Sequence, residues 1–257
     1  MNVAWGEAAF VWSMPPLDIA LLVISPFVGG FLSEAARVWP DWRATLAPRS
    51  QCDPCGRALR IRELLPVISY VAQGSRCACG ARPLPRIHPI GDLLAVSIAL
   101  LAVLVADNEH ALWIAFSGWV LLFGALVDVR TLLLPDVVTL GLVGAGLAHA
   151  AMQGRAALES SLVGASLGFT LLWLVNRLHR SIRGGDGLGL GDAKLLAAAG
   201  ALVGVAALPW ILAGAATVAL ASVAIWVALH RSPPSLVAFG PALSLAAFVA
   251  MNMQSGA

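Results

Sequence analysis

The sequence predicts an all-α polytopic membrane protein with about eight transmembrane helices and one cytoplasmic cysteine-containing loop domain. Three observations predict it. Apolar residues make up 59% of the 257-residue chain and charged residues only 12%, about half the charged share usual for soluble domains. Mean hydropathy is +0.85. The apolar residues are also gathered into runs of roughly the 17–25 residues that cross a bilayer.

Taken in order, these runs read Leu17–Ala36, Ile90–Ala106, Ala111–Val127, Asp136–Met152, Leu158–Leu178, Lys194–Ala207, Trp210–His230 and Leu236–Met253. The Lys194 run is short and needs its flanks to span. Residues 1–36 form the first span, 37–89 a hydrophilic loop domain and 90–257 a seven-span membrane domain. No Lys or Arg precedes the first span, which argues against a secretory signal peptide. The basic residues set the orientation. Nine arginines lie in the 37–89 loop, and alternation places Arg130, Arg177, Arg180, Arg183, Lys194 and Arg231 on its side of the membrane, leaving only Arg155 opposite. Basic residues stay with the cytoplasm, so the loop is expected inside and the N-terminus outside. The net charge of +2 reflects this topology, and no nucleic-acid partner is expected. Tryptophans 5, 12, 39, 113, 210 and 226 near span ends are read as interfacial belt residues.

The loop holds all four cysteines, as Cys52-Asp53-Pro54-Cys55 and Cys77-Ala78-Cys79-Gly80. Two close pairs about twenty residues apart suit a structural zinc site, with free thiols as the alternative. Disulfides are disfavoured on the cytoplasmic side. A four-thiolate site leaves no open position for chemistry.

The chemistry is sought in the acids. Asp18 and Asp136 sit at helix starts, where capping or dipole compensation is the simpler reading, and Asp92, just inside the second span, suits a helix cap or a pairing with a loop arginine. Asp128 ends the third run, and Asp192 opens the sixth behind a segment in which Gly184, Gly185, Gly187, Gly189 and Gly191 alternate with Asp186, Leu188 and Leu190. The charge-derived topology brings Asp128 and Asp192 to one depth on the cytoplasmic side. Two adjacent carboxylates share a proton, so one can act as base toward water while the other donates to a carbonyl oxygen. The alternative is that each caps its helix or binds a cation such as Arg130 or Lys194. Glycine at 189 and 191 leaves room for an extended peptide backbone.

Several of these stretches resemble one family. The Asp128 segment ending Leu134-Pro135-Asp136, and Gly189-Leu190-Gly191-Asp192-Ala193-Lys194-Leu195-Leu196, are similar to the two signature regions of bacterial type IV prepilin peptidases, which are Gly-x-Gly-Asp membrane aspartic peptidases. Gly29-Gly30-Phe31-Leu32-Ser33 resembles the family's Gly-Ser-Phe-Leu-Asn. Arg49-Ser50-Gln51-Cys52 with Cys55, Leu65-Pro66-Val67-Ile68-Ser69-Tyr70 and Arg76-Cys77 resemble its cysteine loop, and Phe239-Gly240-Pro241 its last-span motif. The resemblance implies catalytic Asp128 and Asp192; around them Gly189, Gly191, Asp186 and Lys194 are read as the substrate side. It implies Zn2+ on Cys52, Cys55, Cys77 and Cys79, and prepilin or pseudopilin substrates cut at the cytoplasmic face of the inner membrane. It also implies S-adenosylmethionine-dependent N-methylation as a second activity. The chain departs from the family at Arg130, where a second acid is common, at Ser33, and in a second cysteine pair one residue short. Two alternatives stay open: a peptidase without methyltransferase activity, and a non-enzymatic scaffold or transporter with a zinc-ribbon loop.

Overall fold

The computed structural model describes residues 15–41, 67, 70–71, 87–106, 108–184, 189–232 and 236–255. Among them there are eight α-helices: α1 (Pro16–Val38), α2 (Ile87–Val105), α3 (Asn108–Thr131), α4 (Asp136–Gln153), α5 (Arg155–Arg183), α6 (Leu190–Val203), α7 (Leu208–His230) and α8 (Gly240–Ser255). A short 3-10 turn, Val205–Ala207, joins α6 to α7, and no strand occurs among the described residues. Each helix matches one predicted apolar run to within a few residues. The loop domain expected over 37–89 lies almost entirely outside the described residues.

Proline and glycine set the helix boundaries. Pro16 opens α1, where a missing N–H costs nothing, and Asp18 follows in its first turn. Gly154, at φ 119°, separates α4 from α5; Gly184 ends α5 in the left-handed conformation with its N–H on the Arg180 carbonyl at 3.0 Å. A side chain is strained at these angles, and glycine is not.

Five helices are long and apolar enough to cross a membrane, covering Pro16–Val38, Ile87–Val105, Glu109–Thr131, Arg155–Ile182 and Val205–His230. The chain is therefore a membrane protein. The remaining helices α4, α6 and α8 have 18, 14 and 16 residues. At about 1.5 Å per residue, α6 falls short of a hydrocarbon layer of about 30 Å. Burial resolves that mismatch for α6: Leu195, Leu196, Ala198, Ala199 and Ala201 have no exposed surface, so protein rather than lipid surrounds it. By contrast Leu220, Ile225 and Leu229 of α7 are exposed, the ordinary state of an apolar side chain facing lipid.

The chain divides into two compact units, residues 1–119 and 120–257, with the division inside α3. In the first, α1 packs on α2 through glycine. A Cβ on Gly29 would lie 2.5 Å from the Gly91 carbonyl oxygen, so only bare backbone allows this approach. Ser33 Oγ donates to the Ile87 carbonyl at 3.2 Å, and Trp119 Nε1 to the Ala95 carbonyl at 3.1 Å. In the second unit α6 is central, packed by α4, α5 and α8, while α7 lies along α8.

Candidate active site

Asp128 sits one turn before the end of α3 and Asp192 in the first turn of α6. Both side chains belong to the second unit, and both are buried, at 5% and 9% exposure. Isolated charges are costly in such surroundings, so buried carboxylates are functional candidates. The two carboxylates interact electrostatically. The two acids expected to be partners are thus within electrostatic reach of each other.

Three further contacts build the site. The Gly240 N–H, at the start of α8, donates to Asp128 Oδ2 at 3.0 Å. Lys194 Nζ pairs with Asp136 Oδ1 at 2.6 Å, tying the start of α6 to that of α4. Gly191 lies against Leu134, where a Cβ would approach the Leu134 Cβ to 3.0 Å. The Leu132–Asp136 connection therefore rests on the mouth of α6. Leu132 itself adopts φ 55°, a strained angle for a branched residue, of the kind that clusters at functional sites. Its N–H reaches the Asp128 carbonyl at 2.8 Å, which binds the strained turn directly to the residue that carries the acid.

Of the residues expected on the substrate side, Gly189, Gly191 and Lys194 gather beside Asp192; Asp186 lies outside the described residues. Sequence reasoning left two partners unassigned. Asp136, read as a helix-start acid, is also the partner of Lys194. Gly240 was visible only as part of the Phe239-Gly240-Pro241 motif, with no signal linking it to Asp128. Asp92, read as a cap or a partner of a loop arginine, is buried in the first unit and accepts the Val67 N–H on Oδ2 at 3.0 Å. Val67 is likewise strained, at φ 54°.

The Asp136–Lys194 pair is half exposed, with side-chain exposures of 62% and 30%. Exposed pairs contribute about 0–1 kcal/mol. We therefore expect Lys194→Met to cost no more than about 1 kcal/mol in thermal unfolding in detergent; a larger loss would mean the pair is shielded from solvent.

Cys52, Cys55, Cys77 and Cys79 lie outside the described residues. Among the described residues no group of three His, Cys, Asp or Glu side chains could hold a metal ion.

Comparison with known proteins adds the family context. Residues 115–229 match the model of the type IV leader peptidase family, and residues 23–106 match that of the bacterial peptidase A24 N-terminal domain. Curated relatives named prepilin leader peptidase/N-methyltransferase include one from Burkholderia pseudomallei (strain 1026b), 37% identical over 200 residues, covering 77% of this chain and 64% of that protein. One from Dickeya chrysanthemi is 36% identical over 217 residues, covering 81% and 75%, and one from Aeromonas hydrophila 33% identical over 214 residues, covering 80% and 72%. The chain thus spans a little under two thirds of the Burkholderia relative's length. No solved structure matches.

Proposed function

Because the chain belongs to the type IV leader peptidase family, we propose that it is a membrane aspartic endopeptidase that removes the basic leader from prepilins or pseudopilins. The observation that carries this reading is the pair of buried, interacting carboxylates of Asp128 and Asp192 at helix termini of one unit.

In this reading the dyad holds one proton between its two carboxylates. The charged member takes a proton from water as the water oxygen bonds to the scissile carbonyl carbon, and the protonated member gives its proton to the carbonyl oxygen. The tetrahedral species then collapses. The C–N bond breaks, the leaving nitrogen receives the proton first taken from water, and the hydroxyl returns the other. Burial favours each step, because electrostatic stabilisation is stronger where water is excluded. Gly189 gives the substrate backbone room beside Asp192, whereas the space beside Gly191 is taken by Leu134, and the negative charge of Asp186 suits a basic leader.

The wider setting belongs to the same proposal. Eight helices span the inner membrane, the N-terminus is outside, and the dyad and the 37–89 loop face the cytoplasm. The charge bias of the loops supports this orientation. Cys52, Cys55, Cys77 and Cys79 hold a structural Zn2+ in the loop, supported by their spacing. Purified protein prepared under reducing, chelator-free conditions is expected to contain about one zinc per chain; metal-free protein that is folded and active would count against the site. The relatives' names carry N-methyltransferase, so methylation of the new N-terminus with S-adenosylmethionine is a second activity for this chain. Coexpression with a tagged prepilin tests the peptidase: leader removal must depend on both aspartates.

A further inference from the structure

Gly240 has a contact that its place in the last-span motif does not explain. Its N–H donates to Asp128 Oδ2 at 3.0 Å, and a Cβ on Gly240 would lie 2.6 Å from that oxygen. Any side chain would therefore meet the carboxylate. Gly240 is also the first residue of α8, where unpaired backbone N–H groups and the helix dipole favour a negative charge. The next residue, Pro241, has no N–H, so it offers no competing donor. The Leu243 N–H is occupied by the Phe239 carbonyl at 3.1 Å. The start of α8 thus presents the Gly240 amide to one buried carboxylate.

We propose that Gly240 is a positioning residue of the peptidase, holding Asp128 as the carboxylate that takes the proton from the attacking water. This rests on the dyad reading above and deepens it. With Oδ2 engaged by the amide, Oδ1 is the oxygen that accepts the water proton as the new C–O bond forms. Asp192 then carries the shared proton and gives it to the scissile carbonyl oxygen. On collapse, Asp128 passes its proton to the leaving nitrogen and Asp192 recovers one from the hydroxyl, so the dyad ends as it began. The carboxylate is fixed before substrate arrives, and preorganisation of this kind is what positioning groups supply.

The test removes the N–H without adding atoms. Replacing Gly240 by glycolic acid turns the amide into an ester in the full-length chain. Cleavage of a prepilin is then followed in detergent or proteoliposomes. A hydrogen bond to a charged group corresponds to about 10- to 100-fold, so kcat is expected to fall by about that factor with KM within roughly twofold. A matching ester at Ala247, inside the same helix, controls for the loss of an ordinary helix hydrogen bond and is expected to leave kcat unchanged. Gly240→Ala, which pushes a Cβ at the carboxylate, is expected to lose at least as much activity as the ester. Wild-type kcat in the Gly240 ester, or in Gly240→Ala, would overturn the proposal while Asp128→Asn remained inactive. Equal losses in both esters, with equal loss of thermal stability, would reduce Gly240 to a structural residue and also overturn it. If Asp128→Asn and Asp192→Asn both still cleave, the dyad reading fails first, and this inference fails with it.

Discussion

Asp128→Ala and Asp192→Ala are each expected to lower prepilin cleavage by about 10³-fold or more, with folded protein still present in the membrane. General acid and base groups each contribute about 10²- to 10⁴-fold, and a dyad that works as a unit loses most of its rate when either member goes. The double variant should therefore be little worse than the single ones. Full additivity would instead mean two independent roles. Asp128→Asn and Asp192→Asn keep the volume and test the proton directly, because an amide cannot take one from water. The rate–pH profile of the native protein should be bell-shaped, since cleavage needs one carboxylate charged and the other protonated; its two limbs belong to the pair rather than to either residue. Asp136→Asn serves as the contrast, since it weakens only the exposed contact with Lys194 and should leave substantial cleavage. Retained cleavage in either alanine variant would sink the peptidase reading and bring forward the scaffold or transporter alternative.

How far the fold was legible follows from what a one-dimensional pattern encodes. Apolar run length marks a helix whatever its neighbours, so all eight helices of the described residues appear in the sequence, and Pro16, Pro135, Gly154 and Gly184 stand at helix ends. Charge bias put Asp128 and Asp192 on one side of the membrane as an expectation; what the structure adds is that the two carboxylates lie within electrostatic reach of each other. Which face of each helix meets which neighbour was not legible. In lipid both faces of a helix are apolar, so the hydrophobic periodicity that orients soluble helices is weak. That is why Asp136 read as a helix-start acid: its reach to Lys194 depends on how α4 lies against α6. Gly240 was hidden for a similar reason, because a backbone N–H carries no residue-type signature. One packing signal does lie in the sequence. Gly164-Ala165-Ser166-Leu167-Gly168 and Gly200-Ala201-Leu202-Val203-Gly204 each have two glycines four apart, the spacing that lets helix backbones touch.

That spacing leads to the largest expected effect on stability. Gly164 and Gly200 face each other across α5 and α6. A Cβ on Gly200 would run into the Gly164 carbonyl and lie 2.9 Å from the Ala165 nitrogen. One turn away, a Cβ on Gly168 would lie 2.6 Å from the Leu196 carbonyl oxygen. On the neighbouring face of α6, a Cβ on Gly146 of α4 would lie 2.8 Å from Ala201. Helix α6 is thus held against glycines of both α4 and α5, with backbone at each contact and no flexible side chain to yield. Gly200→Leu must force α5 away from α6, and overpacking typically costs about 1–3 kcal/mol, more where nothing can move. We expect a loss of about 3 kcal/mol or more, read as a lowered unfolding midpoint in detergent and reduced accumulation in the membrane. Cleavage should fall with it, because α6 carries Asp192 at its other end. Gly141→Leu is the matched control: it lies on the exposed side of α4, and a Cβ there meets nothing within 4 Å. Replacing that glycine removes a poor helix former, so stability should hold or rise. Equal damage from both substitutions would mean that glycine content as such matters; damage confined to Gly200 locates the effect in the α5–α6 contact, the one that fixes where Asp192 stands.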